Sequence, residues 1–202
     1  MFTGLIQHMG TISRRSEAGN VIRITVDKDG WQHDPARGDS IAVNGCCLTV
    51  VEKTGDQLDF DMVRTTSDTT TLASLDVGAR VNLEHAATPS TLLGGHLVQG
   101  HVESTGTVVH NREFEDRGWI LKIKTSETLS RFLIKKGSIT VDGVSLTIAE
   151  TIDQTLEIAL IPETLERTSL SLLQEGDLVN LEADCLAKMV SALLERTPPP
   201  GS

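Results

Sequence analysis

The feature that most constrains this chain is that it writes one pattern twice. Displaced on itself by about 98 positions, Ser40–Glu84 lies over Ser138–Glu182 without a gap, and roughly 17 of those 45 pairs are identical. The anchors are SIAVNGCCLTV against SITVDGVSLTI, LDFDMV against LEIALI, TTTLASL against RTSLSLL, and VGARVNLE against EGDLVNLE. Upstream the match loosens: MFTGLIQHMGTI is echoed by LVQGHVESTGTV and VIRITV by ILKIKT, with slips of a residue or two in the loops. Two halves that share a pattern must share a fold. Each half has about 100 residues, enough for one small core.

Within each half, about six short runs alternate apolar and polar residues or are rich in β-branched ones, bounded by Gly, Asn and Asp turns. This predicts an all-β chain of two small antiparallel barrels or sandwiches. Only short helices are expected to intrude, near Thr70–Leu75, Glu127–Leu133 and Ser169–Leu173. The end of the chain differs. Leu186, Met189, Val190, Leu193 and Leu194 make an apolar stripe at helical spacing that stops before Pro198, Pro199 and Pro200. Such a helix either packs on its own barrel or meets another subunit.

Asn44-Gly45 and Asp142-Gly143 are two-residue hairpin signals, because a type I′ turn needs positive φ at both central positions. In the outgoing strands Cys46, Leu48 and Val50 share one face, as do Val144, Leu146 and Ile148, and that face reads as core. The other face carries Cys47 with Thr49 in one half and Ser145 with Thr147 in the other. A single such pair is ordinary strand composition; a pair kept in both copies suits a hydrogen-bonding ligand. In GGHLVQGHV, two histidines without a third ligand do not make a metal site. His96 reads as a structural residue at the barrel seam. His101, where the first half hands over to the second, is the better candidate for proton transfer near neutral pH.

Several classes are disfavoured. A net charge of -10 and a pI near 5.0 argue against a nucleic-acid partner. MFTGLIQHMG lacks the basic and apolar regions of a signal peptide, and no apolar run nears the ~20 residues that span a bilayer. No membrane association and a cytoplasmic location are therefore expected. The odd set Cys46, Cys47 and Cys185 reads as reduced thiols. There is no P-loop, and no strand-flanked GxGxxG is found.

Taken together, MFTG, VNGCCLTV, GGHLVQGHV, ITVDGVSLT, IPETLERT and VNLEAD make the chain similar to riboflavin synthases of the α-chain type, over nearly its whole length. The resemblance implies two tandem six-stranded Greek-key β-barrels and a C-terminal amphipathic α-helix that helps hold a homotrimer. The corresponding division is 1–96, 97–185 and 186–202. It also implies transfer of a four-carbon unit between two molecules of 6,7-dimethyl-8-ribityllumazine, giving riboflavin and 5-amino-6-(ribitylamino)uracil, without cofactor or metal. The working site would form between the N-terminal barrel of one subunit and the C-terminal barrel of a neighbour. Association with lumazine synthase is a candidate contact. The family also has non-catalytic relatives that hold a lumazine or flavin as an optical antenna, and a binding protein of that kind is the alternative.

The resemblance implies Phe2, Cys47, His101, Ser145 and Asp184 as catalytic residues, with Phe2 closing the site and Asp184 a polar partner from the second barrel. Asp184 also reads as the N-cap of the last helix. Binding residues carried over with the first barrel are Gly4, Leu5 and Ile6; Cys47, Leu48 and Thr49; and the strand end Asp61, Met62, Val63, Arg64, Thr65 and Thr66. With the second come Gly100, His101 and Val102; Lys136; Ser145, Leu146 and Thr147; and the loop Ile161, Pro162, Glu163, Thr164, Leu165 and Glu166. Thr49, Thr66, Thr147 and Thr164 are candidate partners for ribityl hydroxyls. Lys136 and Glu166 read, on charge alone, as solvated surface groups.

Overall fold

The computed structural model describes residues 1–196, and the expected proline stop at Pro198–Pro200 lies outside them. The first half forms β1 (His8–Ala18), β2 (Val21–Asp27), β3 (Ser40–Val43), β4 (Cys46–Thr54), β5 (Gln57–Val63) and β6 (Arg80–His85). These close into an antiparallel barrel in the order β1-β2-β5-β4-β3-β6. The alternation expected from the sequence fills it: Ile12, Ile24, Ile41, Leu48, Val50, Leu58, Phe60, Val81 and Leu83 are buried in one cluster.

The second half repeats this order with β7 (Ser104–Phe114), β8 (Gly118–Lys124), β9 (Ser138–Val141), β10 (Val144–Thr147), β11 (Glu150–Ile152), β12 (Thr155–Leu160) and β13 (Leu178–Ala183). It has seven strands because the counterpart of β4 is interrupted at Ile148-Ala149. The two pieces, β10 and β11, stand at opposite edges of the ladder. The chain itself therefore joins the edges where ladder pairing does not. At the same place β4 carries a bulge between Val50 and Glu52, so both copies release the ladder at one corner, the second more fully.

Both NG and DG turns have the left-handed geometry they require, with φ of 43° and 77° at Asn44 and Gly45 and 46° and 79° at Asp142 and Gly143. The helical segments differ in part from expectation. α2 is Glu127–Ser130, and Leu72–Ser74 and Ser169–Leu172 are single 3₁₀ turns. Two further helices, α1 (Arg64–Thr69) and α3 (Pro162–Arg167), stand where a strand end and a loop were expected. α3 begins with a proline in its first turn, where the missing N–H costs nothing. α1 is mostly Thr and Ser, which have low helix propensity and give no periodic signal in six residues.

The two barrels meet through their hairpin turns. Asn44 Oδ1 accepts from Asn82 N (2.7 Å) and Asp142 Oδ1 from Asn180 N (2.8 Å). Across the seam Asn82 Nδ2 donates to Asp142 O (2.9 Å) and Asn180 Nδ2 to Asn44 O (2.8 Å). Asn82 Oδ1 and Asn180 Oδ1 accept from Ser169 N and Thr71 N of the opposite barrels (2.8 and 2.7 Å). The repeated Asn of the two VNLE motifs thus joins one half to the other.

The last helix, α4 (Cys185–Arg196), leaves its stripe uncovered in the single chain. Leu186, Met189, Val190, Leu193 and Leu194 are each more than half exposed. Packing on its own barrel is not what this stripe does. Among the described residues no helix is long and apolar enough to cross a membrane.

Candidate active site

Two segments that precede the barrels act as straps. Phe2 pairs with Val98 through Phe2 N to Val98 O (2.7 Å) and Val98 N to Phe2 O (3.2 Å), so the straps run side by side. Each is gripped by a buried carboxylate. Glu84 of β6 accepts from Thr3 N and Thr3 Oγ1 (2.7 Å each) and from Gly4 N (3.0 Å). Glu182 of β13 accepts from Gln99 N (2.8 Å), Gly100 N and His101 N (3.0 Å each). Burial pushes both carboxyls above their ordinary range, and these donors oppose the shift.

The straps are exchanged. Gly4 O accepts from Ser145 N of the second barrel, and Gly100 O from Cys47 N of the first (2.8 Å each). Gly4–Ile6 therefore lies with the second barrel and Gly100–Val102 with the first, the reverse of the grouping drawn from the sequence. Glycine is needed at these crossings. A Cβ on Gly4 would stand 2.6 Å from Ser145 Cβ, and one on Gly100 2.7 Å from Cys47 Cβ, with φ of 75° and 79°.

Under the second strap is a cavity of about 210 Å³ lined by Cys46, Cys47, Thr65, Thr66, Thr69, Thr70, Gly100, His101 and Val102. A larger cleft of about 440 Å³ lies along the seam but reaches neither hairpin's polar pair. The smaller cavity brings Cys47 and His101 together, with α1 supplying three threonines, Thr65, Thr66 and Thr69, and its C-cap Thr70 a fourth. Thr69 and Thr70 were not anticipated. Their trace in the sequence is the Thr66/Thr70 spacing, repeated as Thr164/Thr168, where in both copies the later hydroxyl donates to the earlier carbonyl (2.9 and 2.6 Å).

The polar pairs behave as their alternation requires. Cys47 and Ser145 are half-buried and Thr49 and Thr147 exposed, while Cys46, Leu48, Val144 and Leu146 face the cores. Leu48 and Leu146 thus support the sites from within. Burial also pushes the Cys46 thiol up to about 12, leaving it an inert core residue.

The second barrel's site has a partner that the sequence reading set aside. His96 Nδ1 lies 2.7 Å from Ser145 Oγ, a hydrogen bond in which either group can donate. Burial holds the imidazole below its usual pKa, partly opposed by the charge of Asp184. His96 does sit at the seam, but against the Ser145 hydroxyl. Asp184 is the N-cap of α4, its Oδ1 accepting from Leu186 N (2.9 Å).

Other anticipated residues are more scattered. Phe2 is fully buried and packs with Ala42, Val98 and Cys47, so its ring anchors the strap behind the cavity. Asp61 is bound by Arg23 at 2.7 and 2.8 Å, and Met62 lies in the first core, whereas Val63 is exposed and Arg64–Thr66 start α1. Leu5 is exposed, and Ile6 packs on the second core. Ile161 caps α3, Glu163 pairs with Arg167, Leu165 packs on the second core, and Glu166 is exposed. Lys136 is exposed with φ of 67°, where the first barrel has Gly38 at 96°.

Comparisons with known proteins agree along the whole chain. A family model described as the lumazine binding domain matches twice, at residues 3–86 and 99–184. The riboflavin synthase of Mycobacterium tuberculosis is 42% identical over 200 residues, covering 96% of this chain and 98% of the relative. Those of Bacillus subtilis and Escherichia coli K12 are 39% and 38% identical, covering 97% of this chain in each case and 91% and 92% of the relatives. Among solved structures, LumP complexed with riboflavin aligns with a TM-score of 0.82 at 33% identity, covering 91% of this chain and 99% of that one. LumP complexed with 6,7-dimethyl-8-(1'-D-ribityl) lumazine aligns at 0.81 and 32%, with the same coverage.

Proposed function

The chain belongs to the lumazine-binding-domain family of riboflavin synthases, and from that premise we propose that it is a transferase that converts two 6,7-dimethyl-8-ribityllumazine molecules into riboflavin and 5-amino-6-(ribitylamino)uracil. The observation that carries this reading is the pair of related but unequal sites on one chain. Cys47 lies under Gly100–Val102 and beside His101, and Ser145 lies under Gly4 with His96 on its hydroxyl. A reaction between two copies of one heterocycle, in which one gives a four-carbon unit and the other takes it, needs two such places that differ in detail.

Most of the acceleration comes from apposition, since holding two reactants face to face makes a bimolecular step effectively intramolecular. The lumazine 7-methyl proton is acidic because its carbanion delocalises into the ring, so a modest base suffices. His101, exposed at the cavity mouth, takes that role. Cys47 and Ser145 contact the paired rings, and the hydroxyls of α1 and α3 with Thr49 and Thr147 bind ribityl chains. Lys136, Asp61 and the remaining residues of the two strand ends complete the binding set. The uncovered stripe of α4 supports assembly as a homotrimer, in which the two sites of neighbouring subunits face one another, and lumazine synthase is a candidate partner. Three free cysteines suit a reducing, cytoplasmic location.

The test is to incubate the protein with 6,7-dimethyl-8-ribityllumazine alone and follow products. Two substrate molecules should disappear per riboflavin formed, and Cys47→Ala, His101→Ala and Ser145→Ala should each lower turnover by about 10² or more. Tight binding without riboflavin would instead favour a non-catalytic protein that holds a lumazine or flavin.

A further inference from the structure

We infer that Glu84 and Glu182 are positioning residues that act crosswise, each fixing the strap that completes the ligand site of the opposite barrel. Glu182 belongs to the second barrel, yet the amides it holds are those of Gln99, Gly100 and His101, and this strap roofs Cys47 of the first. Glu84 belongs to the first barrel and holds Thr3 and Gly4, which lie on Ser145 of the second. The inference deepens the two-site reading above and rests on it.

Both carboxylates are 2% exposed, and among the described residues neither has a cation within ion-pair distance. An ionised group in that position is costly unless hydrogen bonds compensate it. Neither barrel core requires a charge there, since the side chains stand on the strand face opposite Val81 and Leu83, or Val179 and Leu181. What each carboxylate does is collect three converging donors from a single short segment. A carboxylate offers two acceptor oxygens and no donor, and is suited to this; an amide side chain turns one of its ends into a donor facing an N–H.

A consequence follows for His101. Its backbone N–H is one of the three held by Glu182, so the placement of His101 beside Cys47 is set from the barrel that does not contain Cys47.

The experiment measures alkylation of Cys47 by iodoacetamide in the full-length protein, resolved from Cys46 and Cys185 by peptide mass mapping, with no substrate present. Cys47 is shielded by Gly100, so loosening the strap exposes it. Glu182→Gln should speed labelling of Cys47 by about tenfold, the change expected when roughly one charge-assisted hydrogen bond is lost from the closed strap. Glu84→Gln, whose strap reaches Cys47 only through the Phe2 ring packed on it, should speed labelling by a clearly smaller factor, about threefold at most, although Glu84 lies in Cys47's own barrel. In a Ser145→Cys background the order should invert, with Glu84→Gln speeding labelling at position 145 more than Glu182→Gln does. If Glu182→Gln does not fold, Glu182→Asp, which keeps the charge but shortens the reach, should show a smaller rise at Cys47 alone. Equal rises from both variants, a larger rise from Glu84→Gln, or no rise from either would overturn the crosswise assignment. Labelling is independent of turnover, so a failure to form riboflavin would refute the proposed activity without touching this result.

Discussion

Replacing Gly45 by Ala should destabilise the protein far more than the same change at Gly55, and the difference measures how tightly the barrels meet. Both residues are left-handed, at φ of 77° and 59°, so both variants incur the strain of a Cβ in that region, about 1–2 kcal/mol. At Gly55 nothing lies within 4 Å of the added carbon. At Gly45 that carbon would stand 2.6 Å from Gly143 N and 2.9 Å from Gly143 Cα. No rotamer change relieves this contact, because the obstacle is main chain, and separating the turns stretches the Asn82 and Asn180 bonds across the seam. An overpacking cost of about 1–3 kcal/mol is therefore added, for a total of roughly 2–5 kcal/mol. Gly143→Ala should behave alike, its Cβ standing 2.7 Å from Gly45 N. One separation of the turns relieves both clashes, so the double variant should cost less than the sum of the singles. Urea denaturation of the four variants and the parent, read as midpoint and slope, decides the matter. A gap between Gly45→Ala and Gly55→Ala below about 0.5 kcal/mol, or strict additivity of the pair, would refute a close-packed seam.

Two further outcomes follow from single residues. Burial pushes the Asp142 carboxyl up to about 7, above its unfolded value, so the folded state holds this proton between roughly pH 4 and 7 while the unfolded state has lost it. Asp142 therefore costs stability as pH rises through that window, by a few kcal/mol in order of magnitude. Asp142→Asn, the residue type at Asn44 of the other copy, should flatten the decline and raise the melting temperature at pH 8; an unchanged pH profile would contradict the burial argument. Lys136→Gly, restoring what stands at Gly38, should release about 1 kcal/mol of left-handed strain and raise stability while weakening lumazine binding in a fluorescence titration. A variant no more stable than the parent would show that Lys136 is unstrained.

The repeat, the two turn dipeptides and the alternation along β4 and β10 made the barrels and their polar pairs legible, because each is a local pattern with a period of two or a fixed turn geometry. The exchange of straps was not legible. It depends on contacts such as Gly100 with Cys47 and Gly4 with Ser145, which carry no periodicity and fall where the two copies match most loosely. His96 could be placed at the seam but not against Ser145, since an imidazole's partner 49 positions away leaves no trace in its own neighbourhood. Glu84 and Glu182 did leave one. A charged residue closing the apolar strand VNLE in both copies is improbable as packing, and its repetition marks a shared task. The helices α1 and α3 escaped because six residues, three of them Thr in α1, are too few to show a 3.6-residue period.

Reciprocal lending of leading segments bears on how such a molecule could arise. A one-barrel ancestor would own neither finished cavity; it would obtain both only by trading its N-terminal stretch with a twin, as swapped dimers do, and would lose both on dilution. Fusing the twins end to end replaces that concentration-dependent meeting with a tethered one, at an effective local concentration in the ~mM range. Once covalently joined, the halves were free to diverge, thiol in one and hydroxyl in the other, with no loss of mutual recognition.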